Sequence, residues 1–273
     1  MKKAELLKTI EQHERAGDFN SHVQPPNTHI KKITPKYDYL RKGFFNQFGT
    51  ILTLPIFNFA GLLVGAHFKL KIKGKENLKL VKGKGAIVTT NHIHNFDSAL
   101  MKHALSGRRL YITVGEFNNY PGLFGSMLRA AGTLPFSDSP KCMGNLTKSM
   151  ETLLNKNKLI LFYPEGALWW CYEKPRRLMS GAYHYASKFN VPILPTFFTF
   201  KNLKKRKNGT CKKQFILHIG KPIYPKQELN LKENMAYLLN ENFEFNKQTY
   251  ENFYNRKLEY LCESESSTET EQR

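Results

Sequence analysis

From residue 69 onward, short apolar runs alternate with stretches of helical periodicity, and this alternation narrows the possible folds more than any other feature of the chain. GAIVTT, RLYITV, GTLPF, KLILFY and VPILPTFFTF have the length and the β-branched or aromatic content of strands. Between them, DSALMKHAL, PGLFGSMLRAA, CMGNLTKSMETLLNK and LMSGAYHYASKF read as helices. Strand and helix taking turns predicts an α/β fold with a largely parallel central sheet flanked by helices. The stretch KNLKKRKNGTCKKQFILHIG then predicts a hairpin turning at Asn208-Gly209.

Upstream, residues 1–40 form a polar, basic extension in which QPPNTHIKKITP reads as an extended linker. Residues 41–68 are an apolar membrane-associating segment, and from 43 to 68 it holds no Asp, Glu, Lys or Arg. It is long enough to span a bilayer, but it contains Pro55, Asn46, Gln47 and Asn58. Both flanks are basic, so charge gives no orientation. The expectation is a pair of helices lying in one leaflet; the alternative is a buried core helix. Residues 69–261 make up the α/β domain, and 262–273 an acidic tail too poor in apolar residues to fold. The opening MKKAELLKTIEQHERAG lacks the apolar stretch of a secretory signal.

Lys and Arg outnumber Asp and Glu by 42 to 22, a net charge of +20, which favours anionic partners. Helix-turn-helix, zinc-finger and aromatic RNA-binding patterns are absent, and a nucleic-acid module would give 43–68 no role. An anionic lipid surface or a phosphorylated substrate is therefore expected rather than nucleic acid. Cys142, Cys171, Cys211 and Cys262 are widely spaced with no C-x-x-C, as befits reduced cytosolic thiols rather than zinc ligands or disulfides. The lysines around the hairpin tip are a solvated turn, or a patch for lipid headgroups, coenzyme A phosphates or an acyl carrier protein. Trp169 and Trp170 read as core or pocket wall.

The chemistry concentrates in AIVTTNHIHNFDS, residues 86–98. His92 and His94 could be two metal ligands, but Phe96 stands where a third would fall and nothing nearby completes a catalytic zinc set. Asp97 could simply cap the following helix. Alternatively, if His92 ends a loop and Asp97 opens the helix, the carboxylate folds back to hold one imidazole nitrogen while the other takes a proton from a hydroxyl. The preceding strand would place that pair at the carboxyl edge of the sheet, where open α/β folds put their sites. This short motif leaves the three readings open.

Three further blocks follow it: GTLPFSDSPK at 132–141, Tyr163-Pro164-Glu165-Gly166 directly after a strand, and VPILP from residue 191. In this order, with N-H-x4-D at their head, the blocks resemble the glycerophospholipid acyltransferase family over roughly residues 70–225. The resemblance implies that His92 is the general base for direct transfer from an acyl thioester to an acceptor hydroxyl, and that Asp97 orients it. It implies that Glu165 and Gly166 shape the acceptor site, and that Pro192 supports the pocket and the acyl chain. Neither a metal nor a bound cofactor is implied. The co-substrate is acyl-CoA or an acyl carrier protein thioester, the acceptor a lysophospholipid, and the setting the cytosolic face of a membrane. Ser98 is an ordinary first-turn residue.

Two departures stand out. The family's second block usually ends in an arginine that grips the acceptor phosphate, and here the aligned position falls at about Asp138. Lys141, Arg176 or Arg177 must then meet the phosphate, lysine without the bidentate fork. The position two after the base, often Ser or Thr, is His94, expected to be a polar pocket residue rather than a second base. The acceptor expected is 1-acylglycerol-3-phosphate, another lysophospholipid being the alternative. A hydrolase could use the same pair, since it differs mainly in whether water reaches the acyl carbonyl.

Overall fold

A computed structural model describes residues 3–205 and 211–262. The turn expected at Asn208-Gly209 and nearly all of the expected acidic tail lie outside the described residues.

The strands are β1 (Lys71–Lys73), β2 (Ala86–Thr89), β3 (Leu110–Val114), β4 (Thr133–Pro135), β5 (Leu159–Phe162), β6 (Ile193–Lys205) and β7 (Cys211–Ile219). They form one sheet in the order β1-β7-β6-β2-β5-β3-β4. Every neighbouring pair is parallel except β6–β7, the predicted hairpin. β2 and β5, at the centre, are buried along their whole length, which is why they read as unbroken apolar runs. All five predicted runs are strands; β1 is an addition. Its three residues, Lys-Ile-Lys, are too few and too charged to betray an edge strand.

Among the described residues, seven α-helices accompany the sheet: α1 (Lys3–Arg15), α2 (Phe44–His67), α3 (Asp97–Ala104), α4 (Gly122–Ala131), α5 (Pro140–Asn155), α6 (Gly181–Lys188) and α7 (Leu231–Tyr254). The two-residue period of the strands divides the core. Val88, Leu159 and Leu161 meet Leu100, Met101 and Ala104 of α3 on one face. Ile87, Ile160 and Phe162 meet Leu146 and Met150 of α5, Tyr183 of α6 and Leu238 of α7 on the other.

α7 begins with a capping box between Asn230 and Glu233. Its buried stripe is Asn234, Leu238, Asn242, Asn246 and Tyr250. Asn242 Oδ1 accepts from Thr89 Oγ1 at 2.5 Å and from the Tyr183 hydroxyl at 3.1 Å, so this helix meets the sheet through a polar seam.

The N-terminal extension is folded onto the body rather than running free as a linker. Leu6 and Ile10 of α1, with Phe19 and Val23, bury against Trp169. The chain then crosses the carboxyl ends of β5, β3 and β4. Asn20 donates to the carbonyls of Glu165 and Arg177, Ile33 N–H to Glu116 Oε1, and the Tyr39 hydroxyl to the Pro135 carbonyl.

The apolar segment is one 24-residue helix, not the expected pair. At about 1.5 Å per residue it extends roughly 36 Å. It is not a core helix either. Phe44, Phe48, Ile51, Leu52, Ile56, Phe59, Leu62 and Leu63 are exposed, and Phe45 is 87% exposed. Leu123 and Phe124 at the start of α4 are exposed too. Its inner side rests on α3 through Gly61 and Gly65, four residues apart. A Cβ at Gly61 would lie 3.0 Å from the Ala99 carbonyl oxygen, and one at Gly65 2.8 Å from the His103 ring. Small residues at this spacing let two helix backbones approach closely. Gly61→Leu should therefore overpack the contact and cost about 1–3 kcal/mol. Thermal unfolding in detergent checks this, and an unchanged midpoint would mean that α2 does not rest on α3.

Candidate active site

β2 ends at Thr89, and residues 90–96 make a loop before α3 opens at Asp97. Asn91 pins this loop to β6, its amide donating to the Phe198 carbonyl at 3.0 Å and its oxygen accepting from Phe198 N–H at 2.7 Å. The other side is held by the segment after β5: Trp169 N–H donates to the His92 carbonyl and Cys171 N–H to the Ile93 carbonyl.

Asp97 does not cap α3, whose N-cap residue is Phe96. Its carboxylate turns back instead. Oδ2 accepts from Ile93 N–H at 2.8 Å and His94 N–H at 2.9 Å, and lies 3.0 Å from His92 Nδ1. Two backbone donors hold Asp97 as an acceptor in a fully buried position, so His92 Nδ1 must carry the proton. That fixes the tautomer and leaves the Nε2 lone pair on the other side of the ring. The side chain of His92 keeps 25% of its surface open to solvent. Its ring stacks on Tyr163, with centroids 4.1 Å apart and planes at 27°. The Tyr163 hydroxyl is 2.9 Å from Ser98 Oγ, and burial raises the phenol's pKa, keeping it neutral. The hydroxyl of Ser98 is thus paired with a phenol.

Glu165 stands behind this pair. Its Oε2 accepts His92 N–H at 3.3 Å, and its two oxygens accept Arg176 N–H, Nε and Nη2 at 3.1, 3.1 and 2.7 Å. Arg176 also donates to the carbonyls of Phe19 and Ala167, and its guanidinium lies over the Trp169 ring. Both charged side chains are buried. Arg176 therefore cannot meet an acceptor phosphate, contrary to the expectation from its basic neighbours in EKPRR. Its use is to hold Glu165, which holds the backbone of His92. Gly166, at φ +79°, makes the turn after Glu165; a Cβ there would come 2.8 Å from Met179 Sδ.

Two expected cations remain accessible. Arg177 is exposed, beside the Phe19 ring, and Lys141 is exposed in the first turn of α5, beyond β4. β4 stands three strands from β2, roughly 14 Å at the usual strand spacing. Asp138 is exposed between β4 and α5. Pro192 belongs elsewhere. It is buried at the amino end of β6, where its carbonyl accepts Ile87 N–H at 3.0 Å, so it braces the end of the sheet opposite His92. His94 packs among Phe68, Phe96 and Phe215, and its Nδ1 accepts Phe96 N–H. Burial lowers its pKa, which leaves it neutral at pH 7. Among the described residues, no group of three His, Cys, Asp or Glu side chains is arranged to hold a metal ion.

The sequence reading missed the roles of Asn91 and of residues 19–39 at this edge. Asn91 is a buried amide at the strand's end, the kind of group that needs partners; the extension offered only scattered apolar residues as a signal.

A buried carboxylate, an oriented imidazole with one free nitrogen and a braced loop at the carboxyl edge of an α/β sheet form a proton-transfer site. Residues 69–199, which contain all of it except Asn20 and its neighbours in the extension, match the Acyltransferase family model. This stretch is thus similar to the acyltransferase family, in line with the resemblance drawn from the motifs. Its fold is similar to that in the crystal structure of the 1-acyl-sn-glycerophosphate (LPA) acyltransferase, PlsC, from Thermotoga maritima. The TM-score is 0.57 at 16% identity, over 94% of this chain and 98% of that one. No curated protein matches the chain by sequence.

Proposed function

We propose that this acyltransferase esterifies the free hydroxyl of a lysophospholipid, 1-acylglycerol-3-phosphate first among them, using an acyl thioester of coenzyme A or acyl carrier protein. The observation that carries the reading is the 3.0 Å contact of His92 Nδ1 with Asp97 Oδ2. With Nδ1–H committed to Asp97, Nε2 accepts the proton of the acceptor hydroxyl. The alkoxide oxygen attacks the thioester carbonyl; the tetrahedral intermediate collapses, breaking the C–S bond, and the leaving thiolate takes the proton from His92. Asp97 stabilises the imidazolium between these two steps. No acyl-enzyme is required, which accords with a Ser98 hydroxyl paired to Tyr163. Arg177 and Lys141 are the cations for the acceptor phosphate.

The exposed apolar face of α2 supports work at a membrane surface, on the cytosolic side in this reading. By length and composition the helix could also cross a bilayer.

The test follows labelled acyl-CoA with a panel of lysophospholipids and detergent-solubilised protein. Conversion of lysophosphatidic acid to phosphatidic acid is expected. Esterification of other lysolipids alone would move the acceptor to those headgroups. Release of free fatty acid alone would make the chain a hydrolase. If acyl-CoA is inert, the same panel with acyl carrier protein thioester separates donor from acceptor choice.

A further inference from the structure

At the start of α2, on the edge of the molecule away from His92, lies a cavity of about 390 Å³. It opens between the amino ends of β3 and β5, the last turn of α5 and the first turns of α2. Arg41, Lys42, Arg109, Lys156 and Lys158 all line it, with Tyr39, Tyr111, Thr50, Thr152 and Gln47 among the remaining walls and no Asp or Glu.

These cations outnumber the one carboxylate seen to act on them, Asp38, whose charge reaches Arg41. None of the five forms a salt bridge among the described residues. The Lys42 backbone, not its ammonium, engages the nearby Asp38. Arg109 spends Nη2 on the Ala130 carbonyl, while its buried Nη1 has no acceptor among the described residues. Arg41 is held with φ at +52°, a conformation that costs a non-glycine residue free energy, and its guanidinium is anchored by Thr50 and the Asn46 carbonyl. Burial and the charges of Arg129 and Arg109 pull the pKa of Arg41 below the usual guanidinium value. A concave site that gathers like charges and leaves a buried N–H unused is built for an anion.

The setting says which anion. Ile51 lines the cavity and is 67% exposed, and beside it Phe44, Phe45 and Phe48 of α2 are exposed as well. Were these aromatics to enter the acyl region of a leaflet, the cavity mouth would sit at headgroup depth, with cations above and apolar surface below. We propose that this cavity binds the phosphate of an anionic phospholipid headgroup, a lipid site separate from the His92 loop, which anchors the amino end of α2 while its other end lies beside that loop. Phe68, directly after the helix, packs on His94.

Vesicle flotation tests this without calling on catalysis, so its failure and that of the proposed function are distinguishable. The full chain is mixed with vesicles of phosphatidylcholine alone or of phosphatidylcholine doped with phosphatidylglycerol. Tighter binding to the doped vesicles is expected. The Lys42→Gln/Lys156→Gln variant, both positions exposed, should lose roughly thirtyfold of that gain, at about 1 kcal/mol per cation, and bind neutral vesicles as before. Arg109→Gln removes one cation and should lose roughly fivefold. The control is Lys221→Gln/Lys226→Gln, exposed lysines away from the cavity with the same change in net charge. An equal loss in the control would reduce the effect to overall charge and overturn the proposal. Inorganic phosphate provides the other arm. If it displaces the protein from doped vesicles and its own binding is lost in the cavity variant, the site serves a free anion and the lipid proposal fails.

Discussion

His92→Ala is expected to lower kcat for acyl transfer by about 10²–10⁴, the range for loss of a positioned general base. KM for the lysophospholipid should change little, because Arg177 and Lys141, the cations proposed for its phosphate, stand on other elements. The loop should survive the change: it is held by the amide of Asn91, by the carbonyls of residues 92 and 93, and by two backbone N–H groups on Asp97. Asp97→Asn is the sharper companion. An asparagine oxygen can still accept those amides, but it no longer stabilises an imidazolium, so activity falls while thermal stability drops less than activity implies. Initial rates with saturating acyl-CoA decide it. A His92→Ala enzyme with more than a tenth of wild-type kcat would remove His92 from the role of base.

The second large effect is on stability. Arg176→Gln leaves the Glu165 carboxylate buried and unpaired, which costs about 3–5 kcal/mol. At about 2 °C per kcal/mol for a chain of this size, the unfolding midpoint falls by roughly 6–10 °C. The double variant Glu165→Gln/Arg176→Met, which removes both charges, should regain part of the loss. Arg177→Gln and Lys141→Gln should do the reverse, raising KM for the acceptor with the midpoint unchanged. The contrast separates a cation that supports the site from cations that meet the substrate. If Arg176→Gln raised KM with no thermal effect, the buried pair would have been misread.

The two cases also indicate what the sequence could reveal. The alternation of apolar runs and helical stretches found the central sheet because β2 and β5 are buried on both faces. The His92–Asp97 pair was legible because the loop that carries His92 ends where α3 opens at Asp97, and the turn that joins them is local. Arg176 was not: a basic residue among Lys174 and Arg177 looks solvent-facing, and only the fold brings Glu165 against it. Pro192 shared a motif with residues near the site but sits at the far end of its strand, a distinction that spacing cannot make. α7 escaped because its buried positions at four-residue spacing are mostly amides, so no apolar period marks them. The apolar stripe of α1 is Leu6 and Ile10, too thin to stand out in a charged segment.

The polar seam of α7 also acts as an indexing pin for the catalytic loop. Greasy helices slide on a sheet at little cost; this one has a single allowed position. Moved one turn, about 5.4 Å, in one direction, it would bring Leu238 to the place of Asn242 and strand the hydroxyls of Thr89 and Tyr183. Moved the other way, it would push the Asn242 amide into the apolar cluster that Leu238 now fills. Thr89 is the last residue of β2, three before His92, and Thr196 of β6 locks its carbonyl at 2.7 Å. A helix on the back of the sheet thus sets the height at which the strand releases its histidine.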